Sequence, residues 1–185
     1  FGKITFGDVG GAHESATGDV AAVGFTEAGG RQAFGYIANV GTSVGYSYSV
    51  NGLTVYAAMG QTQANSNDQA TSFGASYTFN GITVAAGTAE AANVEDTSFA
   101  VSGTVAGLGL KAVYLDKTGA AVDSETGVSA TYTMNGVTMT AFTRSVDSIA
   151  GVDTDYTGVG LSYALGGGAT LAAGYVDGGA DGLNL

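Results

Sequence analysis

The most regular feature of the chain is an alternation of apolar and polar side chains that stops at short glycine-containing turns and resumes after them. Around the turn at Asn80-Gly81, the apolar positions include Phe73, Ala75 and Tyr77 before it and Ile82 after it. A period of two predicts β-strands, because successive side chains of a strand point to opposite faces of the sheet. Each predicted hairpin therefore has one apolar face and one small, polar face.

Five such turns punctuate the sequence. They start at residues 51, 80, 106, 135 and 166, so each repeat of roughly 30 residues holds two strands and two connections. Asn-Gly is a strong hairpin signal because a two-residue type I′ turn needs positive φ at both central residues. The pattern predicts an antiparallel up-and-down arrangement of eleven strands, at about 2–8, 42–50, 53–60, 71–79, 82–88, 98–105, 108–115, 127–134, 137–144, 156–165 and 169–176.

A tyrosine stands three positions before four of the turns, always on the apolar face: Tyr48, Tyr77, Tyr132 and Tyr163. Tyrosines at constant depth are typical of an aromatic girdle at a membrane interface, where the ring lies among headgroups and the hydroxyl reaches water. The alternative is that they are cross-strand pairing residues of a soluble sheet. The opposite face favours the membrane, because it is too small and polar to form a soluble core.

At the other end of the strands, the predicted connections are longer and acidic. They cover 61–70, 89–96, 116–125 and 146–154, and they contain Asp68, Glu90, Glu95, Asp96, Asp116, Asp123, Glu125, Asp147 and Asp153. Short turns at one end and long loops at the other are typical of an all-β, up-and-down transmembrane β-barrel. Because such barrels use even strand numbers and leave no open edge in lipid, we expect strands beyond the eleven predicted here.

Composition supports this fold class. Only 11% of the 185 residues are charged, with 32 Gly and no Pro, Cys or Trp, whereas a soluble domain carries about a quarter charged residues. No apolar stretch is long enough for a membrane-spanning helix. The net charge of -11 disfavours a nucleic-acid partner. No nucleophile-base pair, phosphate loop or cofactor fingerprint is present, so we expect no enzymatic activity.

Two segments carry a resemblance to a known family. The opening Phe1-Gly2-Lys3-Ile4-Thr5-Phe6-Gly7-Asp8, with the Gly-rich connection that follows to about Gly41, resembles the strand and loop before the pore constriction of general bacterial porins. The closing 160–169 segment resembles their penultimate hairpin. The likeness covers nearly the whole chain and is greatest to porins of purple non-sulfur bacteria.

The resemblance implies a sixteen-stranded barrel and a homotrimer in the outer membrane of a Gram-negative bacterium, in contact with lipid and lipopolysaccharide. It also implies a water-filled channel for passive diffusion of small hydrophilic solutes and ions. Residues 1–185 would form a single barrel domain that lacks four strands in front and one behind. Residues 181–185 are interpreted as an unfinished external loop.

The same resemblance implies that residues 9–41 fold inward as the constriction loop, with the acids Asp8, Glu14, Asp19 and Glu27. Alternation places three bases on the polar face of the strands, so they are the candidate pore wall: Lys3, Lys111 and Arg144. Each acid could instead be an ordinary solvated carboxylate, and Arg144 could pair with Asp147 at the external rim. Arg31 and Lys117 are interpreted as loop charges.

The charged residues and the single histidine bear on ion preference and metal binding. Sixteen acids against five bases predict a mild preference for cations. His13 is the sole histidine and has no second ligand at zinc-like spacing. The resemblance allows calcium at Glu14 and Asp19, and no other cofactor is expected. The competing hypotheses are a secreted or surface structural or adhesive β protein, such as a β-solenoid, and a substrate-selective outer-membrane channel.

Overall fold

The structure, a computed structural model, describes residues 1–24, 30–38, 42–61, 69–178 and the backbone of 182–184. These residues form one antiparallel sheet in which strands neighbour each other in sequence order, together with one short helix. The elements are β1 (Lys3–Gly7), α1 (Ala12–Thr17), β2 (Ser43–Val50), β3 (Leu53–Met59), β4 (Thr71–Phe79), β5 (Ile82–Ala91), β6 (Val94–Val105), β7 (Leu108–Thr118), β8 (Val122–Met134), β9 (Val137–Ser148), β10 (Thr154–Gly166), β11 (Ala169–Asp177) and β12 (Gly182–Asn184).

The tight turns confirm the predicted hairpins. Asn51 and Gly52 have φ of 49° and 84°, which is the left-handed geometry that a type I′ turn requires. Ala106 takes a φ of 51° in the equivalent position of the third hairpin, although an alanine rarely adopts it. The fifth turn starts one residue later than predicted, at Gly167, because the pairing of β10 with β11 shifts between Ala164 and Gly166.

The strands are longer than predicted at the end opposite these turns. The connections expected at 89–96 and 116–125 are wrong for most of their length, since strands continue into both, whereas the one expected at 146–154 is wrong only at its ends. β5 pairs with β6 as far as Ala91 and Val94, which leaves only two residues between them. Acidic and hydroxyl residues do not end these strands, because they occupy alternating positions of the same ladders. The expected loop at 61–70 lies mostly outside the described residues.

The chain also contains a twelfth strand. Gly182–Asn184 pairs with β11, so the interpretation of 181–185 as an external loop is wrong for these three residues. The eleven predicted strands are all present, and the antiparallel up-and-down order is confirmed. Among the described residues, no helix is both long and apolar enough to span a bilayer.

The two faces of the sheet differ as the alternation predicts. We call the face that carries Phe73, Ala75 and Tyr77 the outer face, and Phe73 and Tyr77 are exposed there. The opposite, inner face carries hydroxyl pairs across each Asn-Gly hairpin, at 2.9 Å, 2.7 Å and 2.9 Å: Ser49–Thr54, Thr78–Thr83 and Thr133–Thr138. Near the turns, the inner face is therefore a polar surface of paired hydroxyls.

Further from the turns, the inner face is covered by the described parts of 9–38, which we call the inner segment. Helix α1 packs on β3 to β6. The rest forms an apolar core in which Val20, Val23 and Phe34 contact the sheet. The sheet supplies Val113, Leu115, Phe142 and Val176 to this core. The expectation of a uniformly small and polar inner face is therefore wrong here, because the covering segment provides an apolar partner.

Candidate functional site

Glycines on the inner face let the inner segment approach the strands closely. A Cβ on Gly87 would lie 2.6 Å from Cα of His13, and one on Gly74 would lie 2.7 Å from Cβ of Ala16. Real side chains do not make such contacts, so these positions accept only glycine while α1 stays in place. Gly127, Gly160 and Gly174 play the same part under the remainder of the segment.

A buried ion pair holds the middle of the inner segment. Arg144 on β9 binds Glu125 on β8, with Nη2 to Oε2 at 2.7 Å and Nε to Oε2 at 3.2 Å. The Glu125 carboxylate accepts the backbone N–H of Gly35 at 3.1 Å, and Arg144 Nη1 donates to the carbonyl of Arg31 at 3.2 Å. The Arg144 guanidinium also lies over the ring of Phe34. Arg144 and Glu125 thus neutralise each other's charge, and the same two side chains also hold the inner segment in place.

A second anchor lies two residues further along the segment. Asp96 on β6 is fully buried and accepts the backbone N–H of Ile37 at 2.7 Å. Lys117 on β7 binds Asp96 Oδ1 at 2.7 Å and the carbonyl of Gly35 at 2.6 Å. Alternate N–H groups of the segment are thus satisfied by carboxylates of the wall, in place of the strand partner that an extended chain would otherwise need.

Tyr36 connects the extended part of the inner segment to α1. Its hydroxyl donates to the carbonyl of Gly18 at 3.1 Å and lies 3.1 Å from Oγ1 of Thr17. Burial raises the pKa of the Tyr36 phenol well above its ordinary value, and the Thr17 hydrogen bond opposes this only in part. Tyr36 therefore stays a neutral donor over the whole physiological range of pH.

The acids predicted for the constriction lie in different surroundings. Asp8 is exposed beside β1, and Glu14 is half-buried on α1. Asp19 is half-buried and accepts the backbone N–H of Phe34 at 2.8 Å. Glu27 lies outside the described residues. Within the described ranges no three His, Cys, Asp or Glu side chains converge on one point. Calcium at Glu14 and Asp19 stays a prediction.

The three predicted bases also separate. Lys3 is exposed on β1, and Lys111 is half-buried on β7. Arg144 is buried beneath the inner segment and bound to Glu125, whereas the partners of Asp147 are the hydroxyls of Ser124 and Ser145. The alternative pairing of Arg144 with Asp147 is therefore wrong.

Lys111 and Asp19 share an open space between the inner segment and the sheet. This cavity has a volume of about 410 Å³ and is also lined by Thr83, Ser102, Ser129 and Thr131. An acid from the segment and a base from the wall thus face the same polar space, surrounded by hydroxyls. Such an arrangement binds water and ions better than apolar solutes.

The four predicted girdle tyrosines are all exposed on the outer face: Tyr48, Tyr77, Tyr132 and Tyr163. Three of them reach the glycine of the preceding hairpin turn. A Cβ on Gly52, Gly107 or Gly136 would lie 3.6, 3.5 or 3.3 Å from Cε2 of Tyr77, Tyr132 or Tyr163. The rings therefore stand at one level beside the turns.

The sequence did not predict the anchoring residues, because all three were interpreted as loop charges: Asp96, Glu125 and Lys117. The signal that could have found them is the alternation itself. Lys111, Val113, Leu115 and Lys117 occupy every second position of β7, so a strand extended past residue 115 places Lys117 on the inner face with Lys111.

The fold and this site together define a class of protein. The outer face is apolar along the meander, the inner face is polar near the turns, and a chain segment is fastened to the inner face by charges of the wall. These are the properties of a transmembrane β-barrel that encloses a channel.

The chain belongs to the Gram-negative porin family, whose model matches residues 1–183. A porin structure refined at 1.8 Å resolution is 26% identical, with a TM-score of 0.83 over 97% of this chain and 73% of that one. A Rhodopseudomonas blastica porin triple mutant is 14% identical, with a TM-score of 0.68 over 97% and 69%. OmpT of Vibrio cholerae, in its trimer form, is 21% identical, with a TM-score of 0.67 over 96% and 66%. No curated protein sequence matches the chain significantly.

The family assignment confirms the resemblance found in the sequence. The protein is an outer-membrane channel protein of a Gram-negative bacterium and not an enzyme. A β-solenoid is excluded, since its strands would be parallel, whereas the paired strands described here are antiparallel. The family assignment excludes a secreted adhesive protein.

Proposed function

We propose that the protein is a general diffusion porin, in which residues 9–41 narrow a water-filled channel for small hydrophilic solutes and ions. The observation that carries this proposal is the polar cavity between the inner segment and the wall, where Asp19 and Lys111 face the same space. A segment fastened to the wall reduces the width of the lumen, and the cavity leaves a passage beside it. Passive diffusion needs only that passage and the field across it.

Hydroxyl groups support a water-filled interior. The paired serines and threonines at the turn end of the inner face hydrogen-bond each other and keep further lone pairs for water. The apolar core of the inner face lies beneath the inner segment and is not exposed to the passage. Nothing distinctive in the described lining selects one solute, which favours a general channel over a substrate-selective one.

The charge balance supports a mild preference for cations. The chain has sixteen acids and five bases, and two of those bases, Lys117 and Arg144, are bound to the anchor carboxylates of Asp96 and Glu125. They therefore contribute little positive potential to the passage. Lys111 is the base that lines the described cavity, and Asp19 faces it.

We also propose a homotrimer in contact with outer-membrane lipid and lipopolysaccharide. The trimer form reported for OmpT of Vibrio cholerae supports the assembly by similarity of fold. The row of exposed tyrosines on the outer face supports an interface girdle, since tyrosine rings favour the boundary between hydrocarbon and water.

Reversal-potential measurements in planar bilayers test this function. With a tenfold salt gradient, the full-length protein should conduct ions and give a potential of the sign expected for cation preference. Asp19→Asn should reduce that preference. The matched control is Asp123→Asn, because Asp123 is an exposed acid at the start of β8. Absence of conductance would refute the channel, and a firm anion preference at low salt would refute the acidic constriction.

A further inference from the structure

A row of polar side chains crosses the inner face at the cavity that Asp19 and Lys111 line. In the strand register, Thr83 on β5 faces Ser102 on β6. Lys111 on β7 faces Ser102 on one side and Ser129 on β8 on the other. Neighbouring strands are about 4.8 Å apart, so these side chains form a continuous line over four strands. All four line the cavity, and one cation therefore lies among its hydroxyls.

The ammonium of Lys111 lies close to the inner segment without being bound to it. A Cβ on Gly18 would be 3.0 Å from Lys111 Nζ. Among the described residues, the ammonium of Lys111 takes part in no hydrogen bond or ion pair, whereas Lys117 and Arg144 each bind a carboxylate. An ammonium has three donors, and it is costly to leave them without acceptors in a half-buried place. Lys111 can therefore offer its donors to a solute in the cavity.

Asp19 supplies the opposite charge from the inner segment. It follows Gly18 directly in sequence and lines the same cavity. Its Oδ1 accepts the N–H of Phe34 at 2.8 Å, which holds the carboxylate in place. Two residues further along, the N–H of Ala21 donates to Oγ of Ser129 at 3.0 Å, so the segment is tied to the polar row itself. The cavity therefore presents an acid and a base at fixed positions.

We propose that this cavity is a binding site for small zwitterions, such as free amino acids, whose carboxylate is bound by Lys111 and whose ammonium is bound by Asp19. The inference rests on the proposed function, because the cavity is the passage through which solutes would diffuse. Its volume of about 410 Å³ lies within the range of small-molecule sites. The hydroxyls of Ser102 and Thr131 also line it and can bind the polar remainder of the solute.

The two opposite charges favour zwitterions over other small solutes. A small anion is attracted by Lys111 but repelled by Asp19, and a small cation meets the reverse. A neutral polyol can use the hydroxyls and the charged groups only as a neutral partner, and such bonds are weaker than bonds between two charged groups. A zwitterion brings no net charge into the half-buried space, and each of its charged groups meets an opposite charge. Zwitterions should therefore occupy the cavity longest.

The reduction of single-channel potassium current by added solutes tests this inference in the full-length protein, at neutral pH and constant ionic strength. β-Alanine is the zwitterionic probe. Butyrate, which lacks the ammonium, and β-alaninamide, which lacks the carboxylate, have the same number of non-hydrogen atoms and serve as matched solutes. β-Alanine should reach half of its effect at a concentration about tenfold lower than either of them, because one hydrogen bond to a charged group is worth about that factor.

Substitutions assign the two ends of the probe. Lys111→Gln should remove the advantage of β-alanine over β-alaninamide, and Asp19→Asn should remove its advantage over butyrate. Lys3→Gln is the matched control and should keep both differences, because Lys3 is an exposed base of the inner face that does not line the cavity.

Equal half-effects of the three solutes in a conducting wild-type channel would overturn the inference. An unchanged advantage of β-alanine in a conducting Lys111→Gln channel would overturn it too. A wild-type protein that does not conduct at all would instead refute the proposed function.

Discussion

At the scale of single residues, the position of the inner segment depends on glycines of the sheet, which have no side chain to keep it away. Gly87 lies directly beneath α1, whereas Gly109, also on the inner face, lies away from it, with its would-be Cβ at an ordinary 3.5 Å from the carbonyl oxygen of Thr131. Gly87→Ala should therefore push the helix into the lumen and cost about 1–3 kcal/mol, the usual penalty for overpacking. Unfolding free energy and single-channel conductance should both fall.

Gly109→Ala is the matched control and should change stability much less. If the two substitutions prove equivalent in stability and conductance, the inner segment does not lie against Gly87 in the membrane.

The buried phenol of Tyr36 gives a pH dependence of definite sign. We call the inner segment docked when it lies against the wall as described here, and free when it has detached. Because burial raises the pKa of Tyr36 in the docked segment, the phenol holds its proton more tightly there than in the free segment. This stabilisation is complete below the ordinary tyrosine pKa of about 10 and is lost as pH rises beyond it. A segment that detaches more often changes the width of the channel more often. Fluctuations of the single-channel current should therefore increase above about pH 10.

Tyr36→Phe keeps the ring but removes the titrating hydroxyl and its hydrogen bond to Gly18. This variant should be less firmly docked at neutral pH by about 1 kcal/mol, the typical worth of one hydrogen bond. It should also lose the alkaline increase in fluctuations. An alkaline response of unchanged size in Tyr36→Phe would assign the effect to other groups.

At the scale of elements, neighbouring residues of β4 separate the two faces. Ala75 pairs with Val55 and Ala86 on the outer face, and Ser76 pairs with Thr54 and Ala85 on the inner face. Ala75→Arg should cost about 2–4 kcal/mol of barrel stability, because it places a cation in the lipid near the bilayer midplane. Ser76→Arg should cost much less and should reduce the cation current.

Both variants are made in the full-length protein, refolded into lipid, and compared by unfolding free energy and single-channel current. A larger destabilisation by Ser76→Arg, or an unchanged current in that variant, would mean that the faces are assigned the wrong way round.

The strands themselves could be predicted from the sequence because their signals are local. Asn51-Gly52 determines a turn within four residues, and the alternation on either side needs no distant partner. The predicted strand ends were wrong where acidic side chains were taken as a sign of a loop. Glu90 and Glu95 were interpreted as loop residues because they are acidic, yet they face each other across β5 and β6. Charged side chains are compatible with a strand wherever it extends beyond hydrocarbon into water.

The anchors could not be predicted in the same way, because their partners are far apart in the chain. The carboxylate of Glu125 binds the N–H of Gly35 across 90 residues, and no local pattern records such a contact. Arg144 illustrates the limit. Alternation placed it correctly on the inner face, but only the structure shows it buried against Glu125 and Phe34.

At the scale of the whole molecule, the acidic balance acts through a field that salt can screen. The net charge of -11 belongs to the chain as a whole, and its influence extends over about 10 Å at 0.1 M salt and about 3 Å at 1 M. Cation preference should therefore weaken markedly between these concentrations. Reversal potentials at both salt concentrations measure this, and a preference independent of salt would indicate direct binding of cations in the channel.

The distant anchors also constrain the order in which the molecule assembles. Arg144 binds the carbonyl of Arg31 across 113 positions of the chain, so the inner segment cannot reach its final place until β9 has joined the sheet. A segment synthesised early is therefore placed late, since long-range closure is slow and entropically unfavourable. Until then Val20, Val23 and Phe34 have no sheet to cover them. During the journey to the outer membrane, these apolar side chains are the ones in this segment that most need shielding from aggregation.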